Sequence, residues 1–242
     1  MVKSLQNLLK EFVAIRRGRK DIELEFRLGQ RLTDTFHTGI PMTVFEQLEQ
    51  DLTESGLTGD TTFSEIVDYF YTVSKGRQVR TRVYFDSSIM ELCTEHVEKE
   101  SIRSFVISVS GNPGDACRVE VSSETPVDCV PVSTLIQGVR VKQRRVFTDA
   151  RKDLGIVWRY EMCRTWYGNT RDAVEYNQHN CEPVYEIECE LVDSEGKYQD
   201  NHTDEHIAES IKMKVLMLLG YDVDTYLELS HEKQCKRRKT SE

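Results

Sequence analysis

The chain has 242 residues, 30% of them charged, and a net charge of -9, which suits one fairly large domain with a sizeable core and excludes a surface that is basic as a whole. Any polyanion must therefore be met by a local basic site. Seven cysteines, an odd number without a Cys-x-x-Cys pair, point to free thiols in a reducing compartment, and no stretch nears the roughly 20 apolar residues of a membrane span, so a soluble intracellular protein is expected.

Leu5, Leu8, Leu9, Phe12 and Val13 recur at helical spacing and predict an amphipathic helix over residues 4–16. The cluster Arg16-Arg-Gly-Arg-Lys20 that follows reads as a solvated turn, with a nucleic-acid contact as the alternative. Asp21 to Gly29 then alternates strictly and predicts a strand with Glu23, Glu25 and Arg27 on one face and Ile22, Leu24, Phe26 and Leu28 on the other. Thr43 with Glu46 three residues later has the form of a capping box, opening a helix through about Thr53 that turns Phe45, Leu48 and Leu52 inward. From Ser64 to Thr165 short β-runs separated by Lys75-Gly76, Asp86-Ser87-Ser88 and Gly111-Asn-Pro-Gly114 predict a meander, with a less regular stretch at Pro126–Gly138 that suits a short helix. Residues 167–182 read as a long loop before a last strand at 185–192. A closing helix spans Thr203–Leu219, with Ile207, Ile211, Val215 and Leu218 on one stripe. The domain is expected to occupy 1–228, and 229–242, with Lys236-Arg-Arg-Lys239, to be a basic tail or linker.

The strands share one split between charge and apolarity. Glu186, Glu188 and Glu190 alternate with Tyr185, Ile187, Cys189 and Leu191. Arg80 and Arg82 share a face, as do Arg140, Lys142 and Arg144; Arg118, Glu120, Ser122 and Glu124 share another, and Arg159 sits with Glu161. If the apolar faces pack outward against helices, the sheet closes into an antiparallel barrel of about eight strands with a mixed-charge tunnel inside. Buried ions must pair or coordinate something, so such a tunnel suits a divalent cation and a polyanion.

Other phosphate and metal signatures fail. There is no Gly-x-x-x-x-Gly-Lys-Ser/Thr loop, no arginine six residues after a cysteine and no Lys-x-Asp-Gly motif. His202-Thr-Asp-Glu-His206 matches His-x-x-Glu-His formally, but it opens the last helix, where Thr203, Asp204 and Glu205 suit a cap and the helix dipole better than a zinc site.

Glu-Leu-Glu-Phe-Arg at 23–27, Ser-Glu-Thr-Pro-Val at 123–127, Arg-Val-Lys-Gln-Arg at 140–144, Trp-Arg-Tyr-Glu at 158–161 and Glu-Ile-Glu-Cys-Glu at 186–190 resemble, in unbroken order, the strand motifs of the triphosphate tunnel metalloenzymes. The likeness is closest to the fungal and DNA-virus type of metal-dependent mRNA 5′-triphosphatase. It implies one Mn or Mg ion held by Glu23, Glu25 and Glu190, and a phosphate clamp of Arg80, Lys142 and Arg144. It also implies that Glu124 orients or deprotonates the attacking water. Arg82, Arg140, Lys99 and Arg118 would be further phosphate contacts, and Arg27, Arg159, Glu161, Glu186 and Glu188 would support the wall.

Departures from the family are Glu161 where Asp is usual, Cys163 where Thr or Ser is usual, and Arg27 in place of the lysine of the thiamine-triphosphatase and cyclase branch. The resemblance implies hydrolysis of the γ-phosphate of triphosphate-ended RNA and of NTPs. It also implies a viral capping enzyme whose guanylyltransferase lies downstream, placed in the virion or infected-cell cytoplasm. No segment resembles the fungal peptide that recruits a separate guanylyltransferase, so a monomer is expected. The alternatives are a small-molecule triphosphatase or polyphosphatase of the same fold, and a non-catalytic polyanion-binding barrel.

Overall fold

A computed structural model describes residues 4–32, 35–73, 77–109, 112–130, 134–149, 156–192, 202–221 and 227–234. Helix α1 (Leu5–Arg16) leads into β1 (Ile22–Leu32), which turns back as the short β2 (Thr35–Thr38). Then come α2 (Met42–Glu54), β3 (Thr58–Gly59), β4 (Ser64–Thr72), β5 (Gln78–Asp86), β6 (Glu91–Val109), β7 (Asn112–Pro126), β8 (Ile136–Asp149) and β9 (Val157–Gly168). Last are α3 (Arg171–Asn180), β10 (Val184–Val192), α4 (Asp204–Leu218) and β11 (Leu227–Gln234).

All pairings are antiparallel, and eight strands close in the order β10-β9-β8-β4-β5-β6-β7-β1, with β1 meeting β10 again at Glu25↔Glu190 and Arg27↔Glu188. The expected closed barrel is therefore the observed architecture. The meander is broken in one place: β8 follows β7 in the chain but pairs with β4, and β1 fills the gap between β7 and β10. Strands β2, β3 and β11 add to β1, β8 and β6 outside the ring.

The alternation in each strand decides what faces out. Ile22, Leu24, Phe26 and Leu28 of β1, Val119 and Val121 of β7, Trp158, Tyr160 and Met162 of β9 and Ile187, Cys189 and Leu191 of β10 form one buried cluster. Leu8, Leu9, Phe12 and Val13 of α1 join it, as do Ile207, Ala208, Ile211, Val215, Leu216 and Leu218 of α4. Two helices thus cover one flank of the barrel and leave its charged faces inward. Serine and threonine caps set their starts: Ser4 accepts from the Asn7 amide at 3.3 Å, and Thr203 from the His206 amide at 3.2 Å.

Four local expectations are corrected. Helix α2 starts at Met42 after Pro41, whose fixed φ of -58° precedes the first turn, so Thr43 is already inside and makes no capping box. Residues 171–180, read as loop, are helix α3; Thr170 caps it by accepting from the Ala173 amide at 3.2 Å. Its only buried residue is Val174, so its sequence shows no apolar stripe. The described residues between Pro126 and Gly138 form no helix, and 131–133 lie outside the described residues. The segment read as tail from His231 is β11 as far as Gln234, paired with β6 through His231↔Val106 and Gln234↔Arg103; 235–242 lie outside the described residues.

Gly29 marks where β2 folds over the end of β1. A Cβ there would fall on the His37 carbonyl oxygen and within 2.5 Å of the Phe36 ring. Gly29→Ala is expected to destabilise the protein by roughly 1–3 kcal/mol, the range for overpacking, read as a lower urea midpoint at unchanged slope.

Candidate active site

The tunnel interior is a cavity of about 450 Å³. Every sequence-expected site residue except Glu186 lines it. Nine cationic and eight carboxylate side chains face one another across it, so almost every charge has an opposite within reach.

At one side β1 brings Glu23 and Glu25 against Lys99 of β6 and Glu124 of β7. Lys99 Nζ lies 2.7 Å from Glu23, 3.7 Å from Glu25 and 3.3 Å from Glu124, and Arg80 donates to Glu124 at 3.3 Å. Burial, then the carboxylates of Glu124, Glu190 and Glu25, push the Glu23 carboxyl up to about 8 against the pull of Lys99. Burial raises Glu190 as well, opposed by Arg159. Burial acts on Glu124 too, but Arg80 and Lys99 outweigh it and hold that carboxyl below its usual value.

β10 and β9 build the next part of the wall. Arg159 donates to Glu190 and lies 3.4 Å from Glu161, which Arg144 also meets at 3.4 Å. Glu188 is held between Arg27 at 2.8 Å and Lys142 at 3.2 Å; these cations keep it ionised despite burial. Glu186 sits behind the lining with no exposed surface, accepting from Thr165 at 2.8 Å and Tyr167 at 2.9 Å, with Lys142 at 4.0 Å. Arg118 lies 3.3 Å from Glu120 and stacks on the Phe36 ring at 5.4 Å.

Sequence reasoning missed Asp68. It is fully buried on β4 and accepts from Arg82 at 2.9 Å and from Arg140 Nε at 3.0 Å, with Arg80 4.0 Å away. Burial alone would raise its pKa, but Arg140 and Arg82 hold it far below the usual carboxylate range. Phe70, Tyr84, Glu95 and Val97 also line the tunnel unannounced; the Tyr84 hydroxyl donates to Glu95 at 2.7 Å, and that bond pushes the phenol up to about 12. The only advance signal for Glu95 was its even spacing from Lys99.

Glu23, Glu25 and Glu190 come together by register: Glu25 faces Glu190 directly, and Glu23 is the next inward residue of β1. In this arrangement Lys99 and Arg159 lie among them, and no three acidic, histidine or cysteine groups among the described residues converge as ligands. The donor set still fits a hard cation, being oxygen only, with three carboxylates set against the two cations Lys99 and Arg159.

No family model and no curated protein matches the sequence. Solved structures do match. The mimivirus capping enzyme triphosphatase is 12% identical, with a TM-score of 0.59 over 91% of this chain and 99% of that one. The RNA triphosphatase domain of a trifunctional mimivirus mRNA capping enzyme is 14% identical, with a TM-score of 0.58 over 88% and 95%. The S. pombe Pct1 RNA triphosphatase is 15% identical, with a TM-score of 0.62 over 90% and 93%. The fold is that of these RNA triphosphatases.

Within this triphosphatase fold, the other sequence motifs resolve into structural parts. His202 precedes α4 and stacks on His206 at 4.9 Å, while Asp204 pairs with Arg17 and Glu205 with Lys10, as a helix start rather than a metal centre. Those pairs also engage part of the basic cluster after α1, where Arg19 meets Asp21 at 2.8 Å. Cys163 faces the tunnel wall between Arg144 and Glu186 in register, and burial pushes its thiol up to about 12, which leaves it neutral and unreactive. No helix among the described residues is long and apolar enough to cross a membrane.

Proposed function

We propose that the chain is a metal-dependent polynucleotide 5′-triphosphatase. It would hydrolyse the γ-phosphate of triphosphate-ended RNA to a diphosphate end, the first step of mRNA capping, and would act on NTPs with Mn. The observation that carries this reading is the lining itself: nine cations converge on a cavity in which five guanidinium Nε donors, on Arg27, Arg80, Arg118, Arg144 and Arg159, are buried without a hydrogen bond. Buried donors left unmade are costly, and a phosphate chain supplies the acceptors.

Glu23, Glu25 and Glu190 would hold one Mn or Mg ion, which when bound offsets charge on the phosphate oxygens. The chain's own residues would do the rest. Arg80, Lys142 and Arg144 bind and orient the phosphate chain, and charge spread over its peripheral oxygens in the loose transition state is met by cations already in place. Glu124, fixed between Arg80 and Lys99, aims a water at the γ-phosphorus. Glu188 and Glu161 keep Lys142 and Arg144 from folding onto each other's partners. Metal dependence is the test: phosphate release from triphosphate-ended RNA and from ATP is expected with Mn or Mg and to vanish in chelator, with RNA outcompeting ATP at low concentration. Release that persists in chelator, or none under any metal, is incompatible with the proposal.

A further inference from the structure

The tunnel-facing side of β8 is graded. Arg140, Lys142 and Arg144 line the cavity, and Gly138, the next residue on the same face, has no side chain. Gly138 lies in register with Phe70 of β4, which lines the cavity, and Arg140 lies in register with Tyr167 of β9. The wall over Gly138 is therefore bare backbone, with Phe70 beside it on β4 and Tyr167 one inward step further along, beside Arg140 on the other side of β8. Tyr167 turns its hydroxyl away toward Glu186 of β10, and the residue is 45% exposed at this end of the tunnel. The floor is the Arg140 guanidinium, which sits 5.1 Å from the centroid of the Phe70 ring and is fixed by Asp68.

Nothing in the fold requires a glycine at 138. Its φ is not in the left-handed region, and an added Cβ would meet only the Gly168 carbonyl oxygen, at an ordinary 3.8 Å. A strand glycine without a conformational or packing reason marks a place where something else approaches the backbone. The register shift of β8 between the partners of Phe70 and Tyr71 falls at this point, as bulges beside binding sites do.

We infer that this gap is a nucleoside subsite: the base of the terminal nucleotide stacks on Phe70 over the Gly138 backbone, with Tyr167 as the far wall. The phosphate chain then runs past Arg140, Lys142 and Arg144, spaced about 6.6 Å apart along the strand, toward Glu23, Glu25 and Glu190. This deepens the triphosphatase reading and rests on it. Stacking on a ring and a guanidinium is tolerant of base identity, so purine and pyrimidine nucleotides are all accepted.

Gly138→Val fills the gap without backbone strain, and Phe70→Leu removes the stacking surface while keeping most of the volume. Affinities for ATP, triphosphate-ended RNA and inorganic tripolyphosphate are measured by calorimetry with calcium in place of manganese, and melting temperatures establish that each variant is folded. For both variants, the two nucleotide ligands are expected to weaken about tenfold relative to tripolyphosphate, the size of one lost base stack. An equal change for all three ligands, or no change, overturns the subsite. So does a loss confined to RNA, since then nucleotides beyond the first are being read. Wild-type phosphate release, followed separately, bears on the hydrolase reading alone, because the binding ratio needs no turnover.

Discussion

Glu25→Ala is expected to reduce metal-dependent phosphate release by at least about a hundredfold, the scale seen when one preorganised electrostatic contact to a reacting centre is removed. Glu25 is 8% exposed, faces Glu190 across the β1–β10 pairing and lies one inward step from Glu23. It therefore links the two strands that supply the proposed cation site. The loss should not come from unfolding. Its two cationic neighbours are both at 3.7 Å and each has a closer partner, Lys99 in Glu23 at 2.7 Å and Arg27 in Glu188 at 2.8 Å. Removing Glu25 thus leaves neither cation unpaired, and a cost of about 1 kcal/mol is expected. Two readouts separate the cases. Mn should raise the melting temperature of the wild type and not of the variant, since only binding to the native state stabilises it. Glu25→Gln, which keeps shape and loses charge, should be as inactive as Glu25→Ala. A variant that keeps metal-dependent release within a few-fold would remove Glu25 from the cation site.

The walls of this site were legible because a barrel strand separates its two faces residue by residue. Glu23, Glu25 and Arg27 alternate with four buried apolar residues, and so do the inward residues of β7, β8, β9 and β10. Closure was only half legible, because the register that sets Glu25 against Glu190 joins segments at opposite ends of the chain and no local pattern fixes it. Asp68 was hidden by its own strand: its inward neighbours on β4 are Ile66 and Phe70, while Glu65 lies on the other face, so the alternation pointed the wrong way. The polar α3 failed for a related reason. Its helix is held by the Thr170 cap and by Val174 seated against Gly168, not by an apolar stripe. Residues whose role is to hold other residues leave little periodic trace.

Asp68→Ala is the second large effect expected, and it acts on stability and on substrate binding together. The carboxylate is fully buried and is the shared partner of Arg82 and Arg140, with Arg80 at 4.0 Å. Without it Arg82 and Arg140, from the two strands that flank β4, face each other in a poorly solvated wall, with Arg80 left to Glu124, and breaking a buried pair in this way costs roughly 3–5 kcal/mol. The arginines that remain folded would lose their common anchor, so KM for phosphate substrates should rise more than kcat falls. Asp68→Asn keeps the shape and one acceptor, and should lose less stability than the alanine variant. Its difference from the wild type carries a pH signature. The folded-state pKa of Asp68 is depressed by Arg140 and Arg82, so its stabilisation is complete above about pH 4, where an unfolded aspartate is ionised, and is lost as the pH falls toward the folded-state value. Urea unfolding of the wild type and Asp68→Asn should therefore diverge at pH 7 and converge as the solution is acidified below about pH 4. Parallel curves across that range would mean that the charge of Asp68 does not hold Arg82 and Arg140 in place.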